Sequence, residues 1–101
     1  MAVEKQISDD GNVLTISISE RFDISAYKEF GQAYADEIDS VSKFVIDMAE
    51  CEYLDSSALG MLLMLRERTG SETEKIDIIN LSPAIKNIFT MANFDQLFNI
   101  E

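Results

Sequence analysis

A polar turn that hands over abruptly to an apolar run constrains this chain more than any other stretch. Leu54-Asp55-Ser56-Ser57-Ala58-Leu59-Gly60 leads straight into Met61-Leu62-Leu63-Met64-Leu65. Asp55 or Ser56 can cap a helix here, because a side-chain oxygen accepts hydrogen bonds from the first free backbone N–H groups. The predicted helix is apolar nearly all round from Ala58 to Leu65, with Arg66, Glu67 and Arg68 in its last turn and Gly70 as its stop. Leu59, Leu62 and Leu63 form the flank expected against a sheet. Met61, Met64 and Leu65 are left over, either for a second helix or for an apolar contact patch, a use that suits methionine. A serine at such a corner is accessible and has a carboxylate beside it, which makes it a candidate switch.

The flanking sequence supplies the sheet. Phe44-Val45-Ile46-Asp47-Met48 is short, apolar and β-branched, and predicts a buried strand, with Ala49 to Leu54 as a loop at its C-terminal end. Loops at that end of an open α/β sheet commonly carry function. Upstream, Val3 to Ser8 is a candidate strand and Asp9-Asp10-Gly11-Asn12 a turn. Val13 to Ser19 then alternates at period two, placing Leu14, Ile16 and Ile18 toward the core and Thr15, Ser17 and Ser19 opposite. The chain thus opens with a hairpin. Glu20 to Ile24 is read as a connection and Ser25 as the cap of a helix whose stripe is Tyr27, Phe30, Tyr34, Ile38 and Val41. Asp36, Glu37 and Asp39 fall near the end of that helix, where its dipole disfavours them.

Downstream, Lys75 to Leu81 predicts a strand and Ser82-Pro83 a capped helix start, with Ile85, Ile88, Phe89 and Ala92 as the buried stripe. Asn93 can end that helix, and Phe94, Leu97, Phe98 and Ile100 close the chain as a short strand or packed tail. The order β-β-α-β-α-β-α with a final strand is that of an α/β fold with a small mixed sheet and about three main helices.

Composition narrows the function. At 101 residues the chain is expected to be one domain spanning 1–101, and its apolar fraction of 47% is that of a globular protein. No apolar run reaches the ~20 residues of a membrane helix, and Met1 to Lys5 lacks the basic-then-apolar order of a secretory signal. Cys51 is alone, so no internal disulfide is expected and the compartment is read as cytoplasmic. A net charge of −11 argues against nucleic acid and against anionic membrane surfaces as partners. The scattered acidic residues are read as solubilising, or as attraction to a basic protein partner.

Chemistry is sparse. With no histidine and one cysteine, the chain lacks the commonest general base and any zinc site of ordinary composition. No glycine-rich nucleotide motif occurs. Ser56 as a hydrolytic nucleophile would have only carboxylates and a few lysines to activate it. Asp23, Asp47 and Asp55 each follow or end a strand and could gather around magnesium, although aspartates in such places usually serve turns and caps. No enzyme, cofactor or metal is expected.

Along nearly its full length the chain resembles a stand-alone STAS domain of the bacterial anti-sigma factor antagonist family. The resemblance rests on the opening hairpin, Phe22-Asp23, the strand ending at Met48, Tyr53-Leu54-Asp55-Ser56-Ser57-Ala58-Leu59-Gly60 and the later Leu81-Ser82-Pro83-Ala84-Ile85 corner. It implies the STAS fold, Ser56 as phosphoacceptor, and Asp23, Asp55, Ser57, Ala58 and Met61 as the partner-binding surface. It also implies protein partners: an anti-sigma factor or serine kinase with the ATP-binding, histidine-kinase-like fold, and a PP2C-type phosphatase. Ala58 stands where glycine is common in that family, and Glu20-Arg21-Phe22-Asp23 where Gly-Glu-Leu-Asp is frequent, so the loop and its partner preference can differ. The expected function is partner switching in bacterial signal transduction and regulation of transcription. The unphosphorylated chain, a monomer or alternatively a dimer, sequesters a negative regulator and releases it on phosphorylation of Ser56. Two other functions compete: a constitutive structural STAS subunit of a transport or sensory complex, and a small enzyme or nucleotide-binding protein using Asp23 and Asp55.

Overall fold

The computed structural model describes residues 3–101; Met1 and Ala2, part of the expected 1–101 unit, lie outside the described residues. The hairpin forms as the turn chemistry requires. β1 (Val3–Ile7) pairs antiparallel with β2 (Val13–Phe22), and Gly11 takes the positive φ of +75° that the turn between them needs. β3 (Lys43–Leu54) and β4 (Ile76–Ile79) then add in parallel, and β5 (Asn99–Ile100) closes a five-stranded sheet of order β1-β2-β3-β4-β5.

Period-two alternation decides what the sheet buries. Leu14, Ile16 and Ile18 on β2, Phe44, Ile46 and Met48 on β3, and Ile76 and Ile78 on β4 are all buried on one face. The alternate residues Thr15, Ser17, Ser19, Val45 and Asp47 remain partly exposed on the other. α1 (Tyr27–Ala35) packs on β1 and β2, α2 (Ser56–Arg68) packs on β3, and the two helices touch each other. Ser82 caps α3 (Pro83–Met91) through a 3.3 Å bond from the Ile85 N–H, and Pro83 takes the first helical position. The buried layer between sheet and helices includes Phe22, Phe30, Phe89 and Phe98. Phe22 and Phe30 meet at 5.2 Å between ring centroids and Phe30 and Tyr34 at 5.6 Å, edge-on.

Several expectations are corrected. β2 continues to Phe22 and β3 to Leu54, so Glu20–Phe22 and Ala49–Leu54 are strand and not loop. Register shifts between Ser17 and Ser19 and between Glu20 and Arg21, with Glu20 at φ 63°, break the alternation while the pairing goes on. α1 ends at Ala35; Ile38 and Val41 pack on the core from the following turns, and Asp36, Glu37 and Asp39 lie beyond the helix. Tyr27 and Ile88, expected in buried stripes, are 50% and 38% exposed. On α2 the buried flank is Ala58, Met61, Leu62 and Leu65, whereas Leu63 turns to solvent and Leu59 is only partly covered. A helix apolar nearly all round does not declare its inward side, and packing between sheet and α1 selects it.

Candidate switch site at the ends of two parallel strands

β2 and β3 end in register, Arg21 paired with Tyr53 and Phe22 with Leu54. The next residue on each chain is an aspartate, so Asp23 and Asp55 leave neighbouring strands that lie about 4.8 Å apart in the sheet. Both have extended backbone, and each caps the helical segment that follows. Asp55 Oδ1 accepts from the backbone N–H groups of Ser57 at 3.0 Å and Ala58 at 3.4 Å. Asp23 Oδ1 accepts from the Ser25 N–H at 3.0 Å and the Ser25 hydroxyl at 2.5 Å, while Oδ2 receives the Arg21 Nε–H at 3.2 Å. The Ser25 hydroxyl first, then the Ser25 backbone and Arg21, hold the Asp23 carboxyl below the ordinary carboxylate range. Asp23, and not Ser25, is therefore the cap of the short 3-10 turn Ile24–Ala26 that leads into α1, and Asp55, not Ser56, caps α2.

That division of labour leaves Ser56 free. It is the first residue of α2, exposed, and its hydroxyl makes no hydrogen bond with the described residues. Around it the strand ends present a mixed surface. The Arg21 guanidinium lies 4.1 Å above the Tyr53 ring, Tyr53 is 41% exposed and Ile24 is 66% exposed. The sequence does not single out Arg21, Tyr53 and Ile24 as a set, because only the parallel register of β2 on β3 brings the first two together. Of the expected surface residues, Asp23, Asp55 and Ser57 are half-buried at this corner. Ala58 and Met61, 0% and 4% exposed on the inward flank of α2, do not present at this corner.

The remaining candidates carry structural duties. Asp47 accepts from the Ala49 N–H and from Asn80 Nδ2, each at 3.0 Å. With Asp23 and Asp55 spent on caps, the three aspartates serve separate local bonds, and no cluster of metal-ligating side chains occurs among the described residues. Cys51 is buried, its thiol pushed up first by desolvation, and it donates to the Tyr53 carbonyl at 3.4 Å. Among the described residues no helix is long and apolar enough to cross a membrane.

The family model described as "Mlab, STAS domain" matches residues 6–99. A STAS-domain containing protein of Pseudomonas aeruginosa (strain UCBPP-PA14) is 44% identical over 100 residues, 99% of each chain. Among solved structures, an anti-sigma factor antagonist from Mycobacterium paratuberculosis superposes with TM-score 0.76 at 24% identity, covering 97% of this chain and 84% of that one. The Bacillus cell fate determinant SpoIIAA in its phosphorylated form gives TM-score 0.76 at 15% identity over 99% and 91% of the two chains. The anti-sigma factor antagonist SpoIIAA in its unphosphorylated form gives TM-score 0.73 at 16% identity over 89% and 83%. The sheet order, the capped strand-to-helix corner and these matches together show that the chain belongs to the STAS domain family.

Proposed function

We propose that this chain is a non-enzymatic, cytoplasmic partner-switching regulator whose unphosphorylated form binds a negative regulator and whose phosphorylation at Ser56 releases it. The partner is an anti-sigma factor or a related signalling protein, with an ATP-dependent serine kinase and a PP2C-type phosphatase setting the state of Ser56. The observation that carries this reading is the exposed, unbonded Ser56 hydroxyl at a helix start whose capping is done by Asp55. Phosphate there breaks no structural hydrogen bond.

Magnitudes favour release over reshaping. Phosphate adds a charge of about −1.5 to −2 at neutral pH. At a helix N-terminus the dipole tolerates that charge, so the fold survives it. A docked surface does not: desolvating the new charge, or facing it with Asp55 and a partner carboxylate, costs about 2–5 kcal/mol. That range is a ~30- to several-thousand-fold loss of affinity. That SpoIIAA, which shares the fold, is described in phosphorylated and unphosphorylated forms supports the reading.

The experiment is a pull-down from the native cytoplasm with wild-type and Ser56→Asp protein, both first shown to be folded. A protein retained by the first and lost by the second is the result expected. Identical partners on both would instead indicate a constitutive structural subunit, and no partner on either would remove the support for switching.

A further inference from the structure

A groove of about 270 Å³ runs between α1 and α2. The nearly buried Phe30, Tyr34 and Met61 form its floor, and Tyr27 and Met64, 50% and 41% exposed, form its rims. Lys28 and Arg68 also line it, and no Asp or Glu does. In a chain of net charge −11 this is an unusual place. Lys5, Arg21, Lys43 and Lys75 are each within 2.7–3.4 Å of a carboxylate, and Arg66 donates to the Leu97 carbonyl at 2.9 Å. Lys28 and Arg68 make no ion pair with the described residues, nor does Lys86, which is on α3 and outside the groove; Arg68 rests 5.9 Å from the Tyr34 ring centroid.

Gly31 adds an independent observation. It lies within α1 and lines the groove, and a Cβ built on it meets nothing within 4 Å. Glycine within a helix is unfavourable relative to alanine, and no neighbour requires it here. A larger side chain at this position would project into the open space of the groove.

We propose that this groove is the docking site for an acidic amphipathic helix of a protein partner, its apolar stripe seated between Tyr27 and Met64 and its carboxylates on Lys28 and Arg68. An open groove of this size suits a few side chains of a helix better than an enclosed small molecule, and methionine at the rim adapts to such a stripe. Charge complementarity sets the occupant: in a chain of net charge −11, two cations without carboxylate partners line one groove that holds no Asp or Glu. The proposal does not rest on modification of Ser56. Met61 and Arg68 lie about 7.5 and 18 Å along the axis of α2 from that residue at ~1.5 Å per residue.

The test uses two fluorescein-labelled model peptides of about 18 residues, each with leucines at i, i+3, i+4 and i+7. One carries glutamates on the flanking positions and the other lysines. Anisotropy titration at moderate salt is expected to show saturable binding of the acidic peptide, with amide shifts at Gly31, Met64 and Arg68 in 15N spectra. The basic peptide is expected to bind at least tenfold more weakly, against the direction the net charge alone would favour. Gly31→Leu, which fills the groove and improves the helix, should abolish binding with an unchanged or raised Tm. Lys28→Glu with Arg68→Glu should weaken it at least tenfold, and Ser56→Asp should leave it within about twofold. The proposal is overturned if the lysine peptide binds as well, or if the Gly31 and charge variants leave affinity intact. It is equally overturned if decanoate but not the peptide shifts the groove amides, or if those amides shift with protein concentration alone, which would mark a second copy as the occupant.

Discussion

Removing the Asp55 carboxylate tests whether the switch corner has been divided as described. Asp55 Oδ1 accepts from the first free N–H groups of α2, Ser57 and Ala58, whereas Ser56 contributes no bond. Loss of an N-cap aspartate costs about 0.5–2 kcal/mol, typically ~1. Loss of its charge at the positive end of the helix adds about 0.3–1 kcal/mol at low salt. Asp55→Ala should therefore destabilise by about 1–2 kcal/mol, and each 1 kcal/mol lowers Tm by about 4–8 °C in a domain of this size. Ser56→Ala removes an exposed hydroxyl with no partner and should stay within about ±0.5 kcal/mol. Urea denaturation followed by far-UV circular dichroism measures both, and an unchanged m-value certifies that only the midpoint moved. A Ser56→Ala variant as destabilised as Asp55→Ala would refute the assignment of the cap, and with it the freedom of Ser56 to be modified without structural loss.

Other outcomes follow from the same geometry. Leu62→Ala empties a fully buried position on the inward flank of α2 and should cost about 2–5 kcal/mol, against under 1 for the half-exposed Leu63→Ala, read from denaturant midpoints. Because its hydrogen bonds depress the folded pKa of Asp23, its contribution is present above the unfolded carboxylate pKa and is lost as pH falls through the depressed value. Urea midpoints should thus fall below about pH 4, less steeply in Asp23→Asn. Cys51, buried and with a raised thiol pKa, should resist a thiol reagent at neutral pH in the native state and react on unfolding; rapid native labelling would contradict its placement.

Where one face of an element meets the core and the other meets water, the sequence is legible: Leu14, Ile16 and Ile18 alternate with Thr15, Ser17 and Ser19, and the hairpin follows. The same rule fails at Ala49–Leu54. Glu50 and Glu52 read as loop, yet Cys51 and Leu54 are buried in a strand whose partner carries the register shifts. Local charge cannot reveal that a neighbouring strand keeps pairing through a bulge. The boundary at Asp55-Ser56 was visible, but the choice between two capping side chains was not, since either residue type can do it. The resemblance implies Ala58 and Met61 on the partner surface, whereas both are buried on the inward flank of α2 and do not present at the Ser56 corner. The Arg21–Tyr53 stack at the corner depends on long-range register, a property no single segment encodes.

The central claim is that a phosphate on Ser56 dissociates a partner without altering the fold. The most direct measurement is calorimetric titration of the captured partner with unmodified and stoichiometrically Ser56-phosphorylated protein, after thermal melts of both forms. The account expects melting points within a few degrees of each other and a phosphorylated affinity weaker by ~30-fold or more. Equal affinities for the two forms, or a phosphorylated chain that no longer folds, would contradict it.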